Sequence, residues 1–190
     1  MENQLVAFLK GYDKFRAEDA GLVASATERR VYREGDDLFS GGKICRELFF
    51  VCSGVLRIMV INEQGNQVIH FFLKDNQFCS ILNSFNNRVT AHESIQAASD
   101  AVVLVLSRKN LDQLYTQIPY LEELITRITQ QGLMDKIALA NGYLGLDSTA
   151  RYKRFLTRQA FVAAQVQLSD VASYLGITPQ SLSRIRKNIR

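Results

Sequence analysis

The chain has 190 residues, 47% of them hydrophobic, with 23 Lys and Arg against 19 Asp and Glu and a formal net charge of +4. That composition excludes a disordered or disulfide-stapled peptide, and no window approaches the roughly eighteen apolar residues that a membrane span requires. The opening "MENQLVAFLK" lacks a cationic head before an apolar run, so no leader is expected and the cytoplasm is the assigned compartment.

Residues 5 to 25 pattern as helix, with Leu5, Phe8, Leu9 and Tyr12 on one face and a second apolar patch at Leu22 and Val23. From Val31 the period shifts toward two, and short β-branched or aromatic runs are cut by "EGDD", "SGGK", "CSG", "NEQGN", "KDN" and "NSFNN". Strands are predicted near 30–33, 37–40, 47–53, 55–61, 67–73, 93–98 and 101–106. Strands so closely spaced predict a sandwich or small barrel. Cys45, Cys52 and Cys79 are odd in number and show no Cys-x-x-Cys spacing, so they read as structural thiols, with no metal and no cofactor expected.

After Ser107 the helical period returns in "KNLDQLYTQI", and Pro119 then opens a helix running to Leu144. Leu121, Leu124, Ile125 and Ile128 form one stripe; Leu133, Ile137, Ala140 and Leu144 form another, displaced from it. Two apolar faces need two partners: the β region, and either more of the same chain or the same helix in a second subunit. Gly132 at mid-helix costs about 1 kcal/mol relative to Ala, which suits a close helix crossing. The dimer face is assigned to Leu121, Ile125, Ile128 and Gly132. Gly145 and Leu146 mark a hinge, and Asp147 caps the next helix, "STARYKRFLTRQAFVAA".

The last segment, "LSDVASYLGITPQSLSRIRKNIR", predicts two short helices. Leu168, Val171, Ala172 and Leu175 share a face, interrupted in character by Asp170; Gly176 turns the chain; Thr178 and Pro179 open the second helix as cap and first residue. That helix buries Leu182, Ile185 and Ile189 and turns Gln180, Ser181, Arg184, Lys187 and Asn188 outward. A helix-turn-helix fits this pattern, and so does a plain helical hairpin. Charge separates the two readings. Residues 147 to 190 hold eight Lys or Arg against two acids, net +6, whereas residues 1 to 146 hold fifteen against seventeen, net −2. A cationic tip is what a phosphate-facing module requires.

The order of short strands, long helix, hinge and helix-turn-helix resembles the cyclic-AMP receptor protein and fumarate-nitrate regulator family of bacterial transcription factors. "LFFVCSGVLRIMV" resembles its strand-Gly-strand signature at Gly54, "ESIQAASDAVVLVLSRKNLDQL" the strands and helix after its ligand pocket, and "DVASYLGITPQSLSRIRK" its DNA-reading motif. The resemblance implies an α+β fold: an N-terminal double-stranded β-helix or jelly roll like a cyclic-nucleotide-binding domain (1–110), a dimerisation helix (111–146), and an all-α helix-turn-helix domain (147–190). It implies double-stranded DNA with a near-palindromic site as partner, a homodimer, and RNA polymerase as a further candidate partner. By its motif, Gln180, Ser181 and Arg184 read bases, while Thr178, Arg186, Lys187 and Arg190 meet phosphates.

The departures bear on the effector. The family's Gly-Glu and Arg-Ser pairs, which hold the ribose and the cyclic phosphate, fall at Ser80 and Ile81 and at Ala91 and His92. An Ile cannot accept a ribose hydrogen bond and an Ala cannot offset a phosphate. The cyclic-nucleotide site therefore reads as vestigial. Another ligand in the roll stays open, with His70 or His92 as its candidate histidine. The iron–sulfur branch places cysteines near its N-terminus, and the first cysteine here is Cys45. Many relatives continue into a β-hairpin wing, and Arg190 falls about where that wing begins, so backbone contacts are expected from the helices. The expected function is sequence-specific transcription regulation. The alternative is a ligand-binding or protein-interaction module whose helix-turn-helix has lost DNA. No catalytic triad, phosphate loop or paired carboxylates support an enzyme.

Overall fold

The computed structural model describes residues 3–189. Two short helices, α1 (Gln4–Leu9) and α2 (Ala20–Ser25), precede eight strands: β1 (Glu28–Tyr32), β2 (Asp37–Phe39), β3 (Glu47–Ser53), β4 (Leu56–Ile61), β5 (Gln67–Leu73), β6 (Phe78–Cys79), β7 (Ser94–Ala97) and β8 (Ala101–Ser107). A helix, α3 (Leu82–Asn87), interrupts them between β6 and β7. The strands form two antiparallel four-stranded sheets, ordered β1-β8-β3-β6 and β2-β7-β4-β5. The fold is α+β, as expected, with a β-roll of the jelly-roll kind and helices at both ends.

β3 shows why its sequence runs "LFFV" without alternation. Phe49 and Val51 point between the sheets, packing on Leu56, Ile95 and Val103, while Leu48 and Phe50 point outward into a helical layer of Leu5, Leu9, Leu111 and Leu121. A strand buried on both faces reads as a continuous apolar run. The outer face of the second sheet is apolar too. Val55, Met59, Ile69 and Phe72 there pack against Tyr152, Phe155, Val171 and Leu175 from the C-terminal helices.

Gly54 links β3 to β4 at φ +86°, and a Cβ there would lie 2.2 Å from the Asp100 carbonyl oxygen and 2.8 Å from Ala101 Cα. Backbone on the far side cannot swing away as a side chain would. Gly54→Ala is therefore expected to cost about 2 kcal/mol or more, from a left-handed residue plus overpacking, read as a lowered urea midpoint. An unchanged midpoint would show that the β8 approach relaxes freely.

After β8 come α4 (Arg108–Gln117), α5 (Pro119–Asn141), α6 (Ser148–Arg158), α7 (Ala160–Ala163), α8 (Leu168–Leu175) and α9 (Pro179–Ile189). Ser107 caps α4 by accepting the Asn110 N–H at 3.1 Å, and Asp147 caps α6 by accepting that of Ala150 at 2.8 Å. The segment expected as one helix after Asp147 breaks at Gln159, which leaves helical geometry. The long helix stops at Asn141, three residues short of the expected end, and Gly145 turns with φ +72°. Among the described residues no helix is long and apolar enough to cross a membrane.

Candidate nucleic-acid interface and effector cavity

The C-terminal unit is assembled by its caps. Gly176 ends α8 in the left-handed region at φ +65°, and the Ile177 N–H returns to the Ala172 carbonyl at 3.0 Å. Thr178 then accepts the Ser181 N–H at 3.1 Å and opens α9 with Pro179 behind it. Arg151 of α6 clamps this turn to the hinge: its Nε donates to the Leu146 carbonyl at 2.9 Å and its Nη1 to the Leu175 carbonyl at 3.1 Å. A guanidinium over the last carbonyls of α8 also complements the helix dipole.

Inward, Leu182 is buried against Phe155, Val171, Ala172 and Leu175, with Ile185 and Ile189 partly covered. Outward, Gln180, Arg184 and Lys187 are exposed, while Ser181 and Arg186 are half-buried. Among the described residues no carboxylate pairs with Arg184, Arg186 or Lys187. The Thr178 hydroxyl, assigned to a phosphate, is exposed at the start of α9, where it caps the helix and lies 3.0 Å from Ser181 Oγ. Arg190 lies outside the described residues.

One expectation for α8 is corrected. Leu168 is 39% exposed, whereas Asp170 is 8% exposed and accepts a hydrogen bond from Arg57 of β4. Helical period alone placed Leu168 inside; the sheet beneath α8 offers a guanidinium at the place where Asp170 arrives. Burial pushes the Asp170 carboxyl above its usual range, with Arg57 pulling it down. Arg57 also donates to Gln96, which donates to Asp37 at 3.0 Å. Ser173 of α8 donates to the Gln67 carbonyl at 2.9 Å and accepts from the Ile69 N–H at 3.1 Å. The helix-turn-helix is thus seated on the second sheet by polar contacts around an apolar centre.

A cavity of about 210 Å³ lies between the roll and α5. Ser80 and Ile81 line it. Ser80 donates to the Glu47 carbonyl at 3.0 Å, and Ile81 is 6% exposed. Ala91 and His92 do not line the cavity. Ala91 is buried where its N–H meets the Lys43 carbonyl, and His92 is exposed beside Gly41. The loop carrying both turns toward the β2–β3 connection. Arg88 lies in a separate cleft with Arg46, Arg108 and Lys109. The Cys79 thiol, buried on the cavity wall, is pushed up to about 12 by burial.

The dimer-face residues are divided. Leu121 and Ile125 are buried in the protomer's own core with Leu5, Leu9 and Leu48, and Ile128 packs beside them. Gly132 is half-buried, and a Cβ there would meet only Lys136 Nζ, at 3.7 Å. The outward apolar face is displaced toward the helix end, where Met134 is 62%, Ile137 41% and Leu144 72% exposed. The first stripe went inward because α1 and α4 close over it.

A cyclic nucleotide-binding domain family matches residues 29–117. Electron transport regulator A of Shewanella oneidensis is 24% identical over 170 residues, covering 83% of this chain and 66% of that protein. The fumarate and nitrate reduction regulatory protein of Escherichia coli K12 gives the same identity and coverage. The chain thus spans just under two thirds of the length of these relatives. Among solved structures, the c-di-GMP responsive global regulator CLP of Xanthomonas campestris has a TM-score of 0.73 at 19% identity, covering 92% of this chain and 91% of that one. A protein assigned to the crp/fnr family from Eubacterium rectale has a TM-score of 0.72 at 14% identity, covering 96% and 87%. At such identities these structures establish the fold.

Proposed function

The chain belongs to the cyclic-AMP receptor protein and fumarate-nitrate regulator (Crp/Fnr) family, whose members are transcription regulators rather than enzymes, and from that premise we propose that it is a homodimeric, sequence-specific DNA-binding regulator of the bacterial cytoplasm. The observation that carries this reading is α9. Leu182 anchors it to the core, and the opposite face offers Gln180, Arg184 and Lys187 to solvent with no carboxylate among the described residues pairing the two cations. Gln180 and Ser181 occupy the first turn, the end that enters a major groove, and Arg184 lies one turn further on the same side. We assign base reading to these three and phosphate contact to Arg186, Lys187 and Arg190. A twofold pair would set two such helices about 34 Å apart on a near-palindromic site. The effector is something other than cyclic AMP, since Ile81 stands on the cavity wall where a ribose acceptor is needed and Ala91 is turned away.

Arg184→Ala should relax sequence preference at one position per half-site, worth about 1–3 kcal/mol of discrimination, because a guanidinium can bond guanine through two donors. Lys187→Ala should weaken all sequences alike and reduce the salt slope by about one. Selection from random DNA with each variant, followed by affinity against salt, separates these outcomes. If Arg184→Ala keeps the wild-type motif at full information content, α9 has been given the wrong reading face. If the wild type binds no DNA even at low salt, the helix-turn-helix serves protein contacts.

A further inference from the structure

We infer that the cavity between the roll and α5 takes a compact carboxylate with an apolar body, its charge held by Lys136 of α5. This inference rests on the effector-cavity reading above but not on DNA binding. Lys136 lines the cavity together with Thr129 and Leu133 of the same helix. Its Nζ curls back over α5, within 3.2 Å of the Gly132 carbonyl, which is the hydrogen bond that the structure gives it. Cys79 lines the same cavity from the roll side, so the lysine and the roll face each other across it. Among the described residues no carboxylate forms an ion pair with it; Glu93 lines the cavity without reaching it, and the neighbouring Asp135 accepts from Gln131 at 2.7 Å.

A half-buried cation whose hydrogen bond goes to a neutral carbonyl lacks a charge partner, and burial holds the Lys136 ammonium below the usual lysine range. An anion entering the cavity supplies the missing charge. The other walls define the rest of the ligand: Ile58, Phe71, Leu73, Phe78 and Ile81 are apolar. The volume, about 210 Å³, is below the roughly 300–1,000 Å³ common for drug-sized ligands, which favours a small acid over a nucleotide. Because the anchoring cation stands on α5 itself, occupancy pulls directly on the long helix that leads to the helix-turn-helix.

The test is calorimetric titration of the full chain with benzoate and hexanoate, each set against its primary amide, which keeps the shape and removes the charge. The acids should bind at least about tenfold tighter than the amides, as loss of a charge-assisted hydrogen bond demands. Lys136→Met should remove that difference while its thermal melt stays cooperative, and Arg88→Ala, in the separate cleft, should preserve it. Equal binding of acids and amides by the wild type overturns the inference without recourse to any variant. So does failure of both acids to bind at millimolar concentration, or undiminished acid binding by Lys136→Met. Titration of DNA in the same preparations reports on the regulator reading separately.

Discussion

Ile137→Asp should convert a micromolar dimer into a monomer. Met134, Ile137 and Leu144 are exposed at spacings of three and seven along and just beyond α5, a seam for a second helix of the same kind. The opposite stripe is already used, because Leu121, Leu124 and Ile125 are buried under α1 and α4. A carboxylate placed in the middle of a helix–helix seam must be desolvated without a partner, a cost of several kcal/mol. Association should therefore weaken by at least about a hundredfold, since each factor of ten is about 1.4 kcal/mol. Sedimentation velocity at micromolar concentration measures this, and DNA affinity should fall with it because one helix-turn-helix reaches only one half-site. Gly132→Leu is a second probe. A Cβ there meets only the tip of Lys136, so a cooperative thermal melt of the variant together with loss of dimer would report on the crossing. The seam is misplaced if Ile137→Asp sediments as the wild type does, or if the wild type is already monomeric.

The seam also shows what the sequence discloses and what it withholds. Local chemistry was legible: Asp147, Thr178 and Gly176 each occupy the cap position that their side chains and spacing predict, and Gly54 marks a turn only glycine fits. Seven of the eight strands follow from period and turn residues. The missing one, β6, is two residues long, and Phe78 and Cys79 become a strand only because Phe50 and Phe49 of β3 lie opposite. Helix α3, "LNSFNN", reads as a turn since its Asn and Ser favour one; Phe85, sunk in the core, holds it helical. Periodicity finds apolar faces but not what covers them. It therefore could not tell which stripe of α5 stays outside, that Leu168 would be exposed, or that Lys136 would line the cavity beside the roll. Each of those depends on a partner distant in the chain.

The contact between Arg57 and Asp170 is the most consequential of these distant pairings, and Arg57→Met should expose its worth. The two side chains are 12% and 11% exposed, and they join β4 of the roll to α8 of the helix-turn-helix. Truncating the cation leaves a carboxyl in a site whose burial already pushes its pKa up, and removes the one partner that pulls it down. Breaking such a buried pair costs about 3–5 kcal/mol. The pH dependence fixes the cause. A carboxyl whose folded pKa lies above its unfolded value adds stability that is complete below the unfolded value and is lost as pH rises through the folded one. Arg57→Met raises the folded pKa further, so its deficit should be largest near pH 7.5 and should shrink toward pH 4, where Asp170 enters the fold neutral. Urea unfolding of wild type and variant at both pH values measures the difference. Arg57→Met/Asp170→Leu should restore most of the stability at pH 7.5, since two apolar groups leave no charge to desolvate. A deficit that is the same at both pH values, or a double variant no better than the single one, would assign the loss to packing of the Arg57 stem. The bridge would then contribute nothing to seating the helix-turn-helix on the sheet.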